Sequence, residues 1–172
     1  QHPCGLRDCS RMMVIKRKTE EVEYKIFQDL LEYLQEGDVL VINDTKVIPA
    51  RLIGKKETGG MIEMLLLSRR CHRSEPLQTW EVLLRPAKRV SIGTRILFNG
   101  QCEAHLIDRL SDKKWTVEFL TRNGFDHFLE KYGKAPLPPY IKRNKDNIKS
   151  LDDIDRYQTI YAKSPGSVAA PT

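Results

Sequence analysis

The residues of this chain best equipped for chemistry lie together in Asn43-Asp44-Thr45-Lys46-Val47-Ile48-Pro49-Ala50-Arg51. A carboxylate there can accept a proton or orient a hydroxyl, and Lys46 and Arg51 can neutralise an anion, the planar guanidinium in two-pronged fashion. The stretch follows Asp38–Ile42, an apolar run with the character of a buried strand. A strand ending in a polar turn is where an α/β sheet commonly binds its ligand. The same residues also suit an ordinary loop, an Asx turn capping the next segment with both cations in water. Spacing alone leaves the two readings level.

The elements that must position this stretch follow from periodicity. Arg11–Lys16 reads as a buried strand and Arg17–Glu23 as a charged turn. Ile26, Phe27, Leu30, Leu31 and Leu34 fall on one face of an amphipathic helix, with Gly37 as its C-cap. Strand, helix and strand make an α/β opening. Beyond Arg51 the pattern is of short strands: Leu52–Gly54, Met61–Leu67, Thr79–Leu84, Arg95–Phe98, Cys102–Arg109 and Trp115–Leu120. Asn99-Gly100 is a hairpin signal, and Trp115, Val117 and Phe119 alternate with Thr116 and Glu118. Short strands without helices predict a small antiparallel barrel or sandwich. Phe125–Tyr132 predicts a helix ended by Gly133. Leu137–Ile141 is extended around its two prolines, Arg143–Lys149 is a polar connection, Leu151–Tyr161 a helix and Ser164–Ser167 a turn. The fold class is thus α/β plus β. The domains are 1–54 (first part of the α/β domain), 55–134 (inserted barrel ending in a helix) and 135–172 (return to the α/β domain).

Composition narrows the classes. The 172 residues are 40% hydrophobic and 30% charged, as in a soluble folded protein. No apolar run is long enough to span a bilayer, and no secretory leader pattern is present, so a cytoplasmic location is expected. The formal charge of +6 favours a polyanionic partner such as RNA without requiring one. Cys4, Cys9, Cys71 and Cys102 form no Cys-x-x-Cys pair, and the histidines stand at no metal-ligand spacing, so no metal is expected. The chain starts at Gln1 and stops at Thr172, just past a run of small residues, and reads as a piece of something longer.

Three segments in this order, Asn43–Arg51, Leu137-Pro138-Pro139-Tyr140-Ile141 and Asp155–Thr172 with its Tyr-Gln-Thr-Ile-Tyr and Pro-Gly-Ser-Val-Ala-Ala-Pro-Thr, resemble the S-adenosylmethionine:tRNA ribosyltransferase-isomerases of queuosine biosynthesis. The resemblance covers the whole chain, is strongest in the last 18 residues and weakest between Gly54 and Lys134. It implies an α/β, barrel-like domain carrying an inserted small β-barrel. It also implies a tRNA-modifying enzyme that transfers and isomerises the ribosyl moiety of S-adenosylmethionine. The acceptor is 7-aminomethyl-7-deazaguanine at the tRNA wobble position, and the product is epoxyqueuosine. S-adenosylmethionine is then a substrate and no separate cofactor is needed. The chain resembles about the first half of such an enzyme, inactive alone, and the whole enzyme is expected to be a monomer.

The resemblance places Asn43, Asp44, Thr45, Lys46 and Arg51 at the α/β site. Asp44 is the candidate catalytic carboxylate, against a role as an Asx turn or as a group orienting a ribose hydroxyl. Arg11 is a candidate for a carboxylate or phosphate, against a surface ion pair. Tyr140, Tyr157 and Tyr161 are polar aromatics of the site. Tyr157 and Tyr161, four apart, share a helical face and suit stacking on a base, with core packing the preferred role for Tyr157. Lys163 and Gly166 suit a phosphate-binding turn, against a plain Pro-Gly turn. Trp80 and Trp115 read as core. The basic set Lys55, Lys56, Arg69, Arg70, Arg73, Arg85, Lys88 and Arg89 suits RNA phosphates or a solvated face. The competing function is a basic β-barrel that holds RNA and has no chemistry of its own.

Overall fold

Apolar and polar side chains alternate most regularly between Arg51 and Thr121, and there the chain closes on itself. A computed structural model of the chain describes residues 5–71, 77–141 and 150–170. Arg73 and Arg143–Lys149 lie outside the described residues. The chain divides into two compact units, Gln1–Ile42 and Asn43–Thr172.

The first unit is a hairpin followed by a helical turn. Strands β1 (Arg11–Lys16) and β2 (Glu21–Ile26) pair antiparallel, Arg11 opposite Ile26 and Lys16 opposite Glu21. β1 has the expected limits but is not buried: Met13 and Ile15 are each 60% exposed. β2 takes Glu21–Glu23, read as part of a turn, and Ile26, read as the start of the helix, and its Val22, Tyr24 and Ile26 carry the alternation of a strand. The expected α-helix is a 3-10 helix, Phe27–Tyr33, entered through the Ile26 N–H bonded to Asp29 Oδ2 at 2.9 Å. Its Leu31 is 79% exposed. A short helix gains most of its stability from packing an apolar face, which this one lacks. Gly37 lies past the helix end in a separate turn, at φ +96, closed by the Asp38 N–H on the Gln35 carbonyl at 3.0 Å. Asp38–Ile42 is not a strand, and Val39 and Val41 are 87% and 88% exposed. An apolar run becomes a buried strand only when its backbone groups find a partner. This one pairs with no strand among the described residues.

The second unit opens with β3 (Thr45–Val47) and then builds the barrel. Its strands are β4 (Arg51–Lys56), β5 (Met61–Cys71), β6 (Leu77–Arg85), β7 (Arg95–Phe98), β8 (Cys102–Arg109) and β9 (Lys114–Thr121). They close in the order β4-β5-β6-β9-β8-β7, every neighbouring pair antiparallel. The expected mixture of α/β segments with a small antiparallel barrel is what the chain forms. Trp115, Val117 and Phe119 all point inward and are buried. Asn99 and Gly100 turn the β7–β8 hairpin with φ of 45 and 66, the left-handed values of a tight hairpin turn. Three further elements follow: α1 (Phe125–Tyr132), α2 (Ser150–Arg156) and β10 (Ser164–Ser167).

The strand directions give the barrel two unlike ends. The β4–β5, β6–β7 and β8–β9 connections lie at one. The β7–β8 hairpin and α1 lie at the other, where Phe125 and Phe128 plug the interior. Ring centroids there are 4.8 Å apart for Phe119 and Phe125, and 5.8 Å for Phe98 and Phe128, spacings at which aromatic pairs attract. Packing inside is tight enough to demand Gly54. A Cβ on it would lie 2.6 Å from Ile96 Cγ2 and 2.7 Å from Phe98 Cε1.

Two predictions follow from this packing. Gly54→Ala overpacks the wall and should cost about 1–3 kcal/mol, read as a lower midpoint in a thermal melt. The second concerns Glu81, a buried β6 carboxylate held by Lys114 and Arg70. The Lys114 hydrogen bond, together with Arg70 and against the opposing effect of burial, keeps its carboxyl below the ordinary 4.5. Its contribution to stability is therefore present above that value and lost as pH falls through the lower folded value. Glu81→Gln should flatten the acid side of the stability profile; a profile still as steep would exclude this triad as a source of acid lability.

Candidate functional site: a cleft beside a parallel ladder

Two of the three segments that stood out in the sequence, Asn43–Arg51 and Asp155–Thr172, meet in space. β3 and β10 run parallel, with Thr45 opposite Ser164 and Lys46 opposite Pro165. Asn43 Oδ1 accepts the Thr45 N–H at 3.0 Å, so the Asx turn belongs to Asn43. Asp44 is left with an exposed carboxylate that has no hydrogen-bond or ion-pair partner among the described residues. Its backbone carbonyl accepts the N–H groups of Lys163 at 2.7 Å and Ser164 at 3.2 Å. Ser164–Ser167, expected as a turn, is thus a short strand. Pro165 has no N–H to give, and Gly166, at φ +138, sits where the register slips between Pro165 and Ser167.

Val47 is held by a side chain that imitates a strand. The Val47 N–H donates to Gln158 Oε1 at 2.8 Å, and Gln158 Nε2 donates to the Val47 carbonyl at 2.7 Å. Ile48 then donates to the Ser167 carbonyl at 2.9 Å.

Beside this ladder lies a cleft of about 640 Å³, a size suited to a small molecule. β3, β10, the barrel wall, α1 and Ile154 of α2 enclose it. Val47, Leu67, Trp80 and Leu129 make its surface largely apolar, while Lys46, Arg69, Asp126 and Glu130 bring both signs of charge to it. Asp126 and Glu130 stand one turn apart on α1. Arg69 is positioned by Nε donating to Gln78 Oε1 at 2.5 Å, its guanidinium 6.0 Å from the Trp80 ring centre. The arrangement suits a ligand with an apolar or flat part and a zwitterionic end. Cys102, buried in the barrel, is no nucleophile, since burial pushes its thiol up to about 12. Among the described residues no three His, Cys, Asp or Glu side chains converge as metal ligands would.

Of the residues picked out from sequence, Lys46 and Gly166 line the cleft. Asn43, Asp44, Thr45 and Lys163 sit at the entry to the ladder. Arg51 is engaged in the architecture, with Nη2 donating to the Leu137 carbonyl and Nε 3.8 Å from Glu63. Tyr140 is exposed in the turn that follows Pro138 and Pro139. The helix expected through Tyr161 ends at Arg156, so Tyr157 and Tyr161 do not share a helical face. The chain departs from the helix where Gln158 turns to Val47. Arg11 belongs to the first unit, beside Tyr24 and Asp29 in a hollow of its own. Sequence reasoning missed Arg69, Asp126, Glu130 and Gln158 as parts of the site. The i, i+4 spacing of Asp126 and Glu130 was a signal for a shared face. Gln158 carried none, its partner being 111 residues away.

These features define a mixed α/β protein with a closed antiparallel barrel set against a small-molecule cleft. The family model described as "Queuosine biosynthesis protein" matches residues 1–172, and the chain belongs to that family. A Syntrophus aciditrophicus protein named S-adenosylmethionine:tRNA ribosyltransferase-isomerase is 51% identical over 189 residues, spanning 100% of this chain and 52% of its own length. Proteins of the same name from Caldanaerobacter subterraneus subsp. tengcongensis and Desulfitobacterium hafniense are 45% and 47% identical, each spanning 100% of this chain and 48% of their own lengths. The chain thus spans about half the length of the curated relatives it matches. The crystal structure of an S-adenosylmethionine tRNA ribosyltransferase from Thermotoga maritima is 30% identical, with a TM-score of 0.40 over 96% of this chain and 52% of that one.

The amide bridge is directly testable. Gln158→Glu keeps an acceptor for the Val47 N–H but turns an oxygen towards the Val47 carbonyl. A buried acceptor left without a donor costs about 1–3 kcal/mol. The variant should melt earlier and exchange its β3 amides faster; unchanged exchange would mean that the bridge adds nothing to the ladder.

Proposed function

We propose that this chain is the front half of an S-adenosylmethionine:tRNA ribosyltransferase-isomerase and that the cleft holds part of the donor. The supporting observation is the meeting, as one parallel ladder beside the cleft, of two of the three segments that resemble the family. The match along residues 1–172 supports the same reading. In this reading Lys46 and Arg69 receive the methionine carboxylate of S-adenosylmethionine. Asp126 and Glu130 receive its ammonium, and the apolar wall around Trp80 and Leu129 takes an uncharged part of the donor.

The chemistry needs a base to remove a proton from the carbon beside the sulfonium. The adjacent positive sulfur eases that step, so a carboxylate suffices. Asp44, exposed next to the ladder, is the base assigned by this reading. The ribosyl group then passes to the aminomethyl nitrogen of 7-aminomethyl-7-deazaguanine at the wobble position of tRNA. Rearrangement gives epoxyqueuosine as adenine and methionine leave. The donor is consumed, so no separate cofactor enters, and the whole enzyme works as a cytoplasmic monomer.

The test is a single-turnover assay with S-adenosylmethionine and tRNA bearing the aminomethyl-deazaguanine. It uses this chain alone, and this chain mixed with the separately expressed second half of the Syntrophus aciditrophicus relative. Adenine should be released only from the mixture, and Asp44→Ala should slow it by roughly 10²-fold or more. Salt-sensitive tRNA binding without adenine release under either condition would favour the barrel as a holding module without chemistry.

A further inference from the structure

The end of the barrel away from the cleft is strongly and unevenly charged. The connections 57–60, 86–94 and 110–113 gather there with the strand ends that feed them. Of the acidic groups there, Glu57 pairs with Arg95 at 2.8 Å and Asp112 with Arg109 at 3.1 Å, while the exposed Asp108 accepts the Arg109 N–H at 2.8 Å and pairs with no cation among the described residues. Lys55, Arg85, Lys88, Arg89 and Lys113 are exposed and have no acidic partner among the described residues. Lys56 Nζ donates to the Arg89 carbonyl at 3.1 Å, which ties the first connection to the second. Thr94 Oγ1 accepts the Ser91 N–H at 3.0 Å, and the Gly93 N–H reaches the Leu106 carbonyl at 2.8 Å. The cations therefore project from strand ends and from loops tied by these hydrogen bonds, and since the five of them outnumber Asp108, the net charge left unneutralised there is positive.

We infer that this end of the barrel holds the sugar-phosphate backbone of an RNA arm, away from the cleft and without reading bases. The inference rests on the tRNA reading above and adds where the RNA is gripped. Arg85 and Arg89 offer planar forks that match phosphate oxygens, and Lys55, Lys88 and Lys113 add point charges around the ring. The connections contain no aromatic residue, so there is no platform on which to stack an unpaired base. Contacts of this kind position a nucleic acid and carry no sequence information. β6 has 9 residues; at about 3.3 Å per residue and a tilt near 40° the barrel stands roughly 20–25 Å tall. The gripped phosphates are then several nucleotides away from any base that enters the cleft.

Fluorescence anisotropy of a labelled tRNA transcript lacking the modified base tests this, with the 172-residue chain titrated from about 50 to 200 mM salt. Lys88→Gln/Arg89→Gln should weaken binding roughly tenfold and lower the slope of log affinity against log salt by about 1.5, for two lost phosphate contacts. Arg17→Gln/Lys18→Gln removes the same charge from the first unit and should leave both unchanged. Equal losses in the two variants would reduce the effect to net charge and overturn the inference. Unchanged binding by the barrel variant, with a thermal melt matching the parent, would overturn the placement while leaving the enzymatic reading intact. A parent chain that binds no tRNA would overturn the inference, while the enzymatic reading is tested separately with the second half present. Polyglutamate competing as well as unlabelled RNA would make the surface a general polyanion site and sink the RNA assignment.

Discussion

Two short strands that run parallel cannot be joined by a hairpin, and this constraint governs the second unit. Thr45–Val47 and Ser164–Ser167 need a long crossover between them, and the crossover here contains an entire barrel. The arrangement holds because the chain leaves and re-enters the barrel at one place. Arg51 donates to the Lys134 carbonyl at 3.1 Å, and Lys134 donates back at 2.8 Å. The Arg51 side chain reaches on to the Leu137 carbonyl. Gly133 lets the returning chain come this close, since a Cβ there would stand 2.2 Å from the Pro49 carbonyl oxygen. With the barrel pinched shut at its neck, the loop still to be closed when the ladder forms is shorter than the full sequence separation. The entropy cost of bringing residues 111 apart together is thereby reduced by roughly 1 kcal/mol, since closure cost changes only slowly with loop length. Arg51, chosen from sequence as a ligand-binding cation, is a fastener in this geometry.

What was legible in the sequence was whatever one segment determines for itself. Asn99-Gly100 needs only its own left-handed preference, and Trp115, Val117 and Phe119 need only a sheet with one buried face. Phe125–Tyr132 packs three buried side chains from one helical stripe. The misreadings came where an element depends on something distant. Asp38–Ile42 has the composition of a core strand and lacks a partner. The stripe from Ile26 to Leu34 has helical spacing and lacks a surface, so it tightens into a 3-10 turn. Ser164-Pro165-Gly166-Ser167 has the composition of a turn, yet β3 draws it into a ladder in which Pro165 and Gly166 occupy the irregular positions.

The site divides along the same line. Asn43–Arg51 was picked out by its dense polar chemistry, and part of it does border the cleft. The opposite wall comes from α1 and the barrel, where Asp126, Glu130 and Arg69 look like ordinary surface charges. Only the fold brings Lys46 to the same cavity as Asp126. No single segment has to look like a binding motif when a rigid scaffold supplies the convergence.

The formal +6 is likewise misleading as an average. Much of the charge is cancelled locally: Lys16 against Glu23, Arg70 and Lys114 against Glu81, and Arg95 against Glu57 and Glu103. The exposed pairs among these, Lys16 with Glu23 and Arg95 with Glu57 and Glu103, add little to stability. They do decide which cations stay available to a partner. Arg95 and Arg109 are the cations that the loops' own acids hold, and five neighbours at the same end of the barrel have no acidic partner among the described residues. Around the cleft the opposite holds, with two carboxylates facing two cations across a mostly apolar surface. The first environment has the charge that a polyanion would complement, whereas the second offers both signs of charge beside an apolar surface. The barrel keeps these environments at opposite ends, so a long anionic partner can be held firmly without competing for the cleft.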